Sequence, residues 1–434
     1  MKLINDGAIT IKMPKSSTGW IGTGNMGLRM AMRLIKAGNE LIIYNRTAQK
    51  AQPLVDTGKV AVVNNPVEVF ENSNIIFASV TDDAVWEEIL PAIDTFLSGK
   101  ILVEMSTLSP GFSKLLKEKM NEAGCLYINA PVIGSMYMVE QGLLKVLVSG
   151  DKDAYSICLP LLNSIGKSVK YMGDAEQARY MKIAANMIIC SYMTVYGEVL
   201  LAGEGAGFSW DRLNNLMEAS DGASAMLKDK GTTHRQRIWE GQTALTSTAL
   251  KDLGLALEIA DKKGFALPLT ALACQYDRFM HYNPRYEKYS TFGTIGMLED
   301  ICGIRPASED TAINVDEATK EALTDTFRIV TTELALEAML LCRETGIYEA
   351  DALGILGSCH GASVYFRSLC ENCLENAQAL YLCRNYTENG GYEILQYCRK
   401  EGDERSLKVV LDIAMKKGLF IPIIATAHAL RARK

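Results

Sequence analysis

The chain has 434 residues, of which 48% are hydrophobic and 22% charged, and a formal net charge of -6. This is the composition of a folded globular protein, and the length calls for two or three domains. The acidic balance excludes a basic nucleic-acid surface. No unbroken apolar run reaches the roughly 18 residues of a membrane span, and the first residues lack a signal peptide's apolar core. The expectation is a cytoplasmic protein with a small-molecule partner, and with no nucleic-acid or membrane partner.

In chain order, Trp20-Ile21 ends a first strand and Leu28 to Ala37 reads as the helix after it. Between them lies Gly22-Thr23-Gly24-Asn25-Met26-Gly27, a G-x-G-x-x-G at a strand-to-helix turn, which is the context a dinucleotide site requires. Gly22 permits the tight turn, Gly24 lets a pyrophosphate approach the backbone, and Gly27 lets the helix pack on the strand. Gly38-Asn39 ends the helix, and Glu40 to Tyr44 reads as a second strand. An NAD site places a carboxylate after that strand to hold the ribose hydroxyls. Here the position holds Asn45-Arg46-Thr47. A guanidinium pairs with a 2′-phosphate, so the expected cofactor is NADP(H).

Short apolar runs then alternate with amphipathic stretches as far as about residue 173: Asn74 to Val80, Lys100 to Met105, Cys125 to Asn129, Lys145 to Ser149 and Ser168 to Met172. This predicts an α/β Rossmann-type doubly wound parallel sheet over residues 1–173, with ligands outside the carboxyl ends of its strands. Val80-Thr81, Ser106-Thr107 and Ala130 to Ser135 emerge there.

Beyond Gly173 the pattern is almost wholly helical. The segment from Ala175 to Ala206 reads as one helix of about 45 Å, apolar nearly all round between Met181 and Met193. Lys182 and Asn186 lie inside it, four apart and so on one face. Glu198 to Ser224 aligns without gaps on Glu337 to Ser363 at an offset of 139, and Glu258 to Pro268 on Asp412 to Pro422 at an offset of 154, a difference of 15 residues. This predicts an all-α domain in two tandem copies: a substrate domain over 174–281, a polar linker over 282–319, and a degenerate repeat over 320–434. In the repeat, Glu321 and Asp325 stand where the first copy has Lys182 and Asn186. The eleven cysteines read as reduced thiols. Cys370-x-x-Cys373 has a metal-like spacing without companion ligands, so no metal is expected.

At this point the chain resembles the β-hydroxyacid dehydrogenase family, relatives of 6-phosphogluconate dehydrogenase, over about residues 18–280. The resemblance is carried by Gly22 to Gly27, Thr81-Asp82-Asp83, Glu104 to Pro110, Ala130-Pro131-Val132, Lys182-x-x-x-Asn186 and Lys251 to Glu258. It implies that Lys182 is the catalytic acid/base, that Asn186 orients the substrate, that Lys251 lies near the cofactor, and that Ser106 and Thr107 approach nicotinamide and substrate. The family's Pro-Val-Ser-Gly-Gly loop is here Pro131-Val132-Ile133-Gly134-Ser135. Ile133 removes a donor, while Gly134 and Ser135 still offer backbone N–H groups and a hydroxyl to a small carboxylate. The implied activity is NADPH-dependent reduction of a small aldehyde or keto acid, reversible with a β-hydroxy acid. An imine reductase and a non-catalytic NADP-binding interaction module are the alternatives. The assembly is expected to be a homodimer, or a monomer whose helical copies form an internal pseudo-dimer.

Overall fold

The structure is a computed structural model that describes residues 17–241, 245–308, 313–375 and 402–432. The chain divides into two compact units, residues 1–182 and 183–434.

The first unit is built on a nine-stranded sheet: β1 (Ser17–Ile21), β2 (Leu41–Tyr44), β3 (Val60–Val62), β4 (Ser73–Ala78), β5 (Ile101–Glu104), β6 (Leu126–Asn129), β7 (Val132–Ile133), β8 (Leu144–Gly150) and β9 (Gly166–Gly173). The order is β3-β2-β1-β4-β5-β6-β8-β7, with β9 paired to β8. Most strands are short runs of Val, Ile and Leu, as befits strands covered on both faces. One face packs Trp20, Phe77 and Val103 against helix α1 (Asn25–Lys36) and the helix Lys152–Ile165. The other packs Ile21, Ile76 and Leu102 against helices Pro66–Asn72, Asp83–Ile93 and Pro110–Glu122. In α1 the buried set is Gly27, Met30, Ala31, Leu34 and Ile35, the i, i+3, i+4, i+7, i+8 pattern that puts one stripe on the sheet.

Strands β1 to β6 run parallel, as the alternation predicts, but β8 is antiparallel to both β6 and β7. The sheet is therefore mixed where a wholly parallel one was expected. The cause is local: residues 134–143 between β7 and β8 contain only the one-turn helix Met136–Glu140, which reverses the chain but is too short for a parallel crossover.

The second unit is helical. The helix Gln177–Gly205 enters it from the first unit, followed by Trp210–Glu218, Ala225–Arg235, Thr246–Lys263 and Pro268–Tyr282. A later set comprises Glu317–Glu344, Glu349–Leu356, Val364–Glu375, Asp403–Lys417 and Pro422–Ala432. Gln177–Gly205 is long and apolar enough to cross a bilayer, yet 89% of its most apolar window is buried within the protein, as in a core helix. The stretch read as a polar linker, 282–319, is not one. It contains the helix Thr294–Cys302, whose residues Thr294 to Glu299 are all buried, and whose Gly296 lies against the Trp239 indole. Turn-forming residues around that helix masked its apolar face in the sequence. Cys370 and Cys373 are buried in the helix Val364–Glu375, and no group of three metal-ligating side chains occurs among the described residues.

Candidate active site

In the first unit, the glycine run occupies the β1–α1 turn. Gly22 has φ +93°, and a Cβ added there would lie 2.2 Å from the Ser79 carbonyl oxygen. A Cβ on Gly27 would lie 2.3 Å from the Gly22 carbonyl oxygen, so the helix can approach the turn only through a glycine. Gly24 differs: it is exposed, and nothing stands within 4 Å of an added Cβ. It is the residue preceding α1, and no side chain caps that helix. The first-turn N–H groups and the positive end of the helix dipole are thus offered to an anion.

Asn45 completes this cradle in a way the motif does not announce. The Thr23 N–H donates to Asn45 Oδ1 (2.8 Å), and Asn45 Nδ2 donates to the Thr47 carbonyl (2.7 Å). Asn45 therefore ties the glycine turn to the loop after β2, while Arg46 and Thr47 are exposed there. No carboxylate occupies the loop, so the residues present suit a 2′-phosphate.

The loops after β4 and β5 are joined too. The Val80 N–H donates to Ser106 Oγ (2.7 Å), and the Ser106 N–H to Glu104 Oε1 (3.0 Å). Ser106 is buried, with its hydroxyl spent on this loop-to-loop bond, whereas Thr107 is half-buried and Thr81 exposed. Glu104 also receives Arg179 Nη2 at 3.2 Å, and Arg179 donates to Glu176 (3.1 Å) and to the carbonyls of Ser106 (3.0 Å) and Leu108 (3.4 Å). Burial pushes the Glu104 carboxyl up, against the pull of Arg179 and Ser106. Glu104 opens the Glu104–Pro110 motif but was given no role there, and Arg179 lies outside every motif. The available signal was an arginine three residues before Lys182, on the same helix face.

The third loop departs from expectation. Ile133 is buried in β7, paired opposite Lys145, and does not line an open loop. Gly134 has φ +145° and is half-buried, and Ser135 is exposed and caps the next helix by accepting the Met138 N–H.

Lys182 is the last residue of the first unit and is half-buried, less enclosed than its apolar surroundings in sequence imply. Asn186 follows one turn later as part of the second unit and is buried. Its Nδ2 donates to Asp252 Oδ2 at 2.5 Å, and Lys251 Nζ lies 3.4 Å from Asp252 Oδ1. Asp252 can only accept, so it dictates which end of the Asn186 amide faces it. Asp252 also lay unremarked inside the Lys251–Glu258 motif. A carboxylate on the buried stripe of Thr246–Lys263 was its signal.

Two family models match the chain: the NAD-binding domain of 6-phosphogluconate dehydrogenase over residues 17–173, and the NAD-binding region of NADP-dependent 3-hydroxyisobutyrate dehydrogenase over residues 177–286. Glyoxylate/succinic semialdehyde reductase 2 of Arabidopsis thaliana is 32% identical over 261 residues, 59% of this chain and 72% of its own length. The Escherichia coli 2-hydroxy-3-oxopropionate reductase is 31% identical over 59% of this chain and 88% of its own. The chain belongs to the β-hydroxyacid dehydrogenase family. It is thus an NAD(P)-dependent dehydrogenase or reductase of the type acting on CH–OH groups. Among solved structures, the 6-phosphogluconate dehydrogenase of Plasmodium falciparum shares the fold over 95% of this chain and 91% of its own, with a TM-score of 0.71 at 14% identity.

Proposed function

We propose that this β-hydroxyacid dehydrogenase is an NADPH-dependent reductase of a small aldehyde or keto acid, reversible with the β-hydroxy acid, and that Lys182 handles the proton. The observation carrying the proposal is the set on two helices of Lys182, Asn186 and the Asp252–Lys251 pair, with Asn186 held at 2.5 Å by Asp252.

When bound, the nicotinamide supplies or removes the hydride. Reducing the carbonyl leaves negative charge on its oxygen, and the Lys182 ammonium donates a proton there. In the reverse direction the neutral amine takes the proton from the hydroxyl. Asn186, clamped by Asp252, orients that oxygen. The uncapped start of α1 and Gly24 hold the pyrophosphate, while Arg46 takes the 2′-phosphate. The relatives, reductases of small carbonyl acids by name, support the substrate class. Gly134 and Ser135 are the residues we assign to the substrate's carboxylate end, through backbone N–H groups.

The test is a panel of carboxylated semialdehydes, uncharged aldehydes and cyclic imines, each followed by NADPH oxidation and repeated with NADH. Turnover concentrated on the carboxylated semialdehydes, with NADPH preferred, is the expected result. Turnover on imines alone, or on no member of the panel, would overturn the reading.

A further inference from the structure

Three neighbouring strands of the sheet each carry one polar residue at the same level. Glu104 ends β5 in register with Asn129 at the end of β6, and Asn129 is in register with Ser149 of β8. Residues paired in this way present their side chains to the same face of the sheet, here the face opposite Val103 and Ile128. All three are fully buried. Their neighbours along the strands are mostly Val, Ile and Leu, so a row of a carboxylate, an amide and a hydroxyl stands out in an apolar interior.

Every member of the row faces the start of the helix Gln177–Gly205. Ser149 Oγ accepts the Ala178 N–H (2.7 Å), one of the first-turn donors that have no partner inside a helix. Asn129 Nδ2 faces the Ala175 carbonyl at 3.5 Å. Glu104 Oε2 accepts from Arg179 Nη2 (3.2 Å) while its Oε1 holds the Ser106 N–H (3.0 Å). Arg179 then reaches past Glu104: its Nη1 donates to the carbonyls of Ser106 (3.0 Å) and Leu108 (3.4 Å), on either side of Thr107. One fully buried guanidinium thus joins a strand end, the turn after it and a helix. Lys182 follows three residues later, about 4.5 Å along the helix axis and on the same side. All of these residues belong to the first unit.

Adhesion alone does not require such a row. Apolar side chains of similar volume hold a helix on a sheet as well as a buried ion pair does, or better, because they carry no desolvation cost. What polar contacts add is register. An apolar face lets a helix slide and turn, whereas a hydrogen bond tolerates only a narrow range of distance and direction. A helix turned by half a residue step would swing its side chains through about 50°. A lysine that must meet one substrate oxygen cannot follow such a turn and still transfer its proton.

We infer that Arg179, seated on the Glu104–Asn129–Ser149 row, is a positioning residue for proton transfer: it fixes the helix bearing Lys182 against the Ser106–Leu108 turn at the carboxyl ends of β5 and β6. Arg179 acts through Lys182, and the inference rests on the reading of Lys182 as the proton donor.

The test uses Arg179→Met and Ser149→Ala, each alone and each combined with Lys182→Ala, with NADPH and a carboxylated semialdehyde as substrates. Arg179→Met should lower kcat about 100-fold and Ser149→Ala about fivefold, with both KM values and NADPH affinity at the parental level. Neither should lower kcat further in the Lys182→Ala background, because residues that act as a unit are not additive. A parental kcat in Ser149→Ala, or a loss repeated in full on top of Lys182→Ala, would overturn the inference. Ser149→Ala removes a single acceptor, so it decides the matter even where Arg179→Met does not fold. Hydrogen exchange in the protein without NADPH supplies a readout independent of turnover: the amides of residues 178–182 should exchange about tenfold faster in Ser149→Ala. Unchanged exchange overturns the tie whatever the substrate, and faster exchange with parental kcat overturns the positioning role alone. Turnover kept by Lys182→Ala overturns the proton-donor reading and the inference with it, so the two failures are told apart.

Discussion

Three turns before its buried Glu198, the first long helix carries Asn186; the same distance before Glu337, the second carries Asp325. Both glutamates do one job, capping a helix of the opposite stretch. Asn186 instead meets a carboxylate beside a half-buried lysine, while Asp325 meets a serine and a buried arginine. At aligned positions the packing residues are alike and the chemical residues differ. The difference teaches that the helical scaffold and the site it presents answer to separate constraints, and that the Lys182–Asn186 pair of the proposed site belongs to the first stretch and not to the second.

The comparison breaks most visibly if the ion pairs of Arg328 are unnecessary. Replacing Arg328 by Met should cost about 3 kcal/mol, because Asp403 would be left as a partly uncompensated buried charge and the half-buried Asp325 would lose its partner. Denaturant unfolding measures the loss, and kcat of the molecules that remain folded should be unchanged. In the first stretch, Asp252→Ala should cut kcat/KM by about 100-fold with stability nearly preserved, since Asn186 loses its orientation. Ser406→Ala, its counterpart, should not alter kcat/KM. In the first unit, Arg46→Ala should raise KM for NADPH about tenfold and leave KM for NADH unmoved, because only the 2′-phosphate contact is lost.

The smallest effect is one of pH. Burial pushes the carboxyls of Glu198 and Glu337 up to about 7, against the hydrogen bonds they accept. A raised carboxyl pKa means that the folded state holds more protons than the unfolded one between the ordinary value of 4.5 and 7. Stability should therefore decline as pH rises through that window, by at most about 1.4 kcal/mol per pH unit for each group. The contribution of these two groups tails off as pH passes 7, where they ionise in the folded state. Unfolding followed at a series of pH values should show a shallower slope in Glu198→Gln than in the parent; an unchanged slope would remove Glu198 from the account.

Much of the first unit is legible because its signals are local. The glycine run, the strand before it and the Asn45-Arg46-Thr47 loop are contiguous, and each β strand through β6 is a short apolar run bounded by turns. The reversal at β7 and β8 is not legible, since a two-residue strand has no periodicity to read. Arg179 and Glu104 stand 75 residues apart, and nothing in either neighbourhood points to the other. The helix Thr294–Cys302 was lost to the same difficulty: its burial comes from Trp239, Glu204 and Arg237, distant in sequence. Lys182, Asn186 and Lys251 were found through motifs, while Asp252 acquires meaning only through its bond to Asn186.

The most direct measurement is turnover of Lys182→Ala beside Glu321→Ala, its aligned counterpart, with NADPH binding followed independently by fluorescence titration. The account predicts that Lys182→Ala loses about 10³-fold or more in kcat while binding NADPH as the parent does, and that Glu321→Ala retains parental kcat. A Lys182→Ala protein that keeps most of its turnover would contradict it.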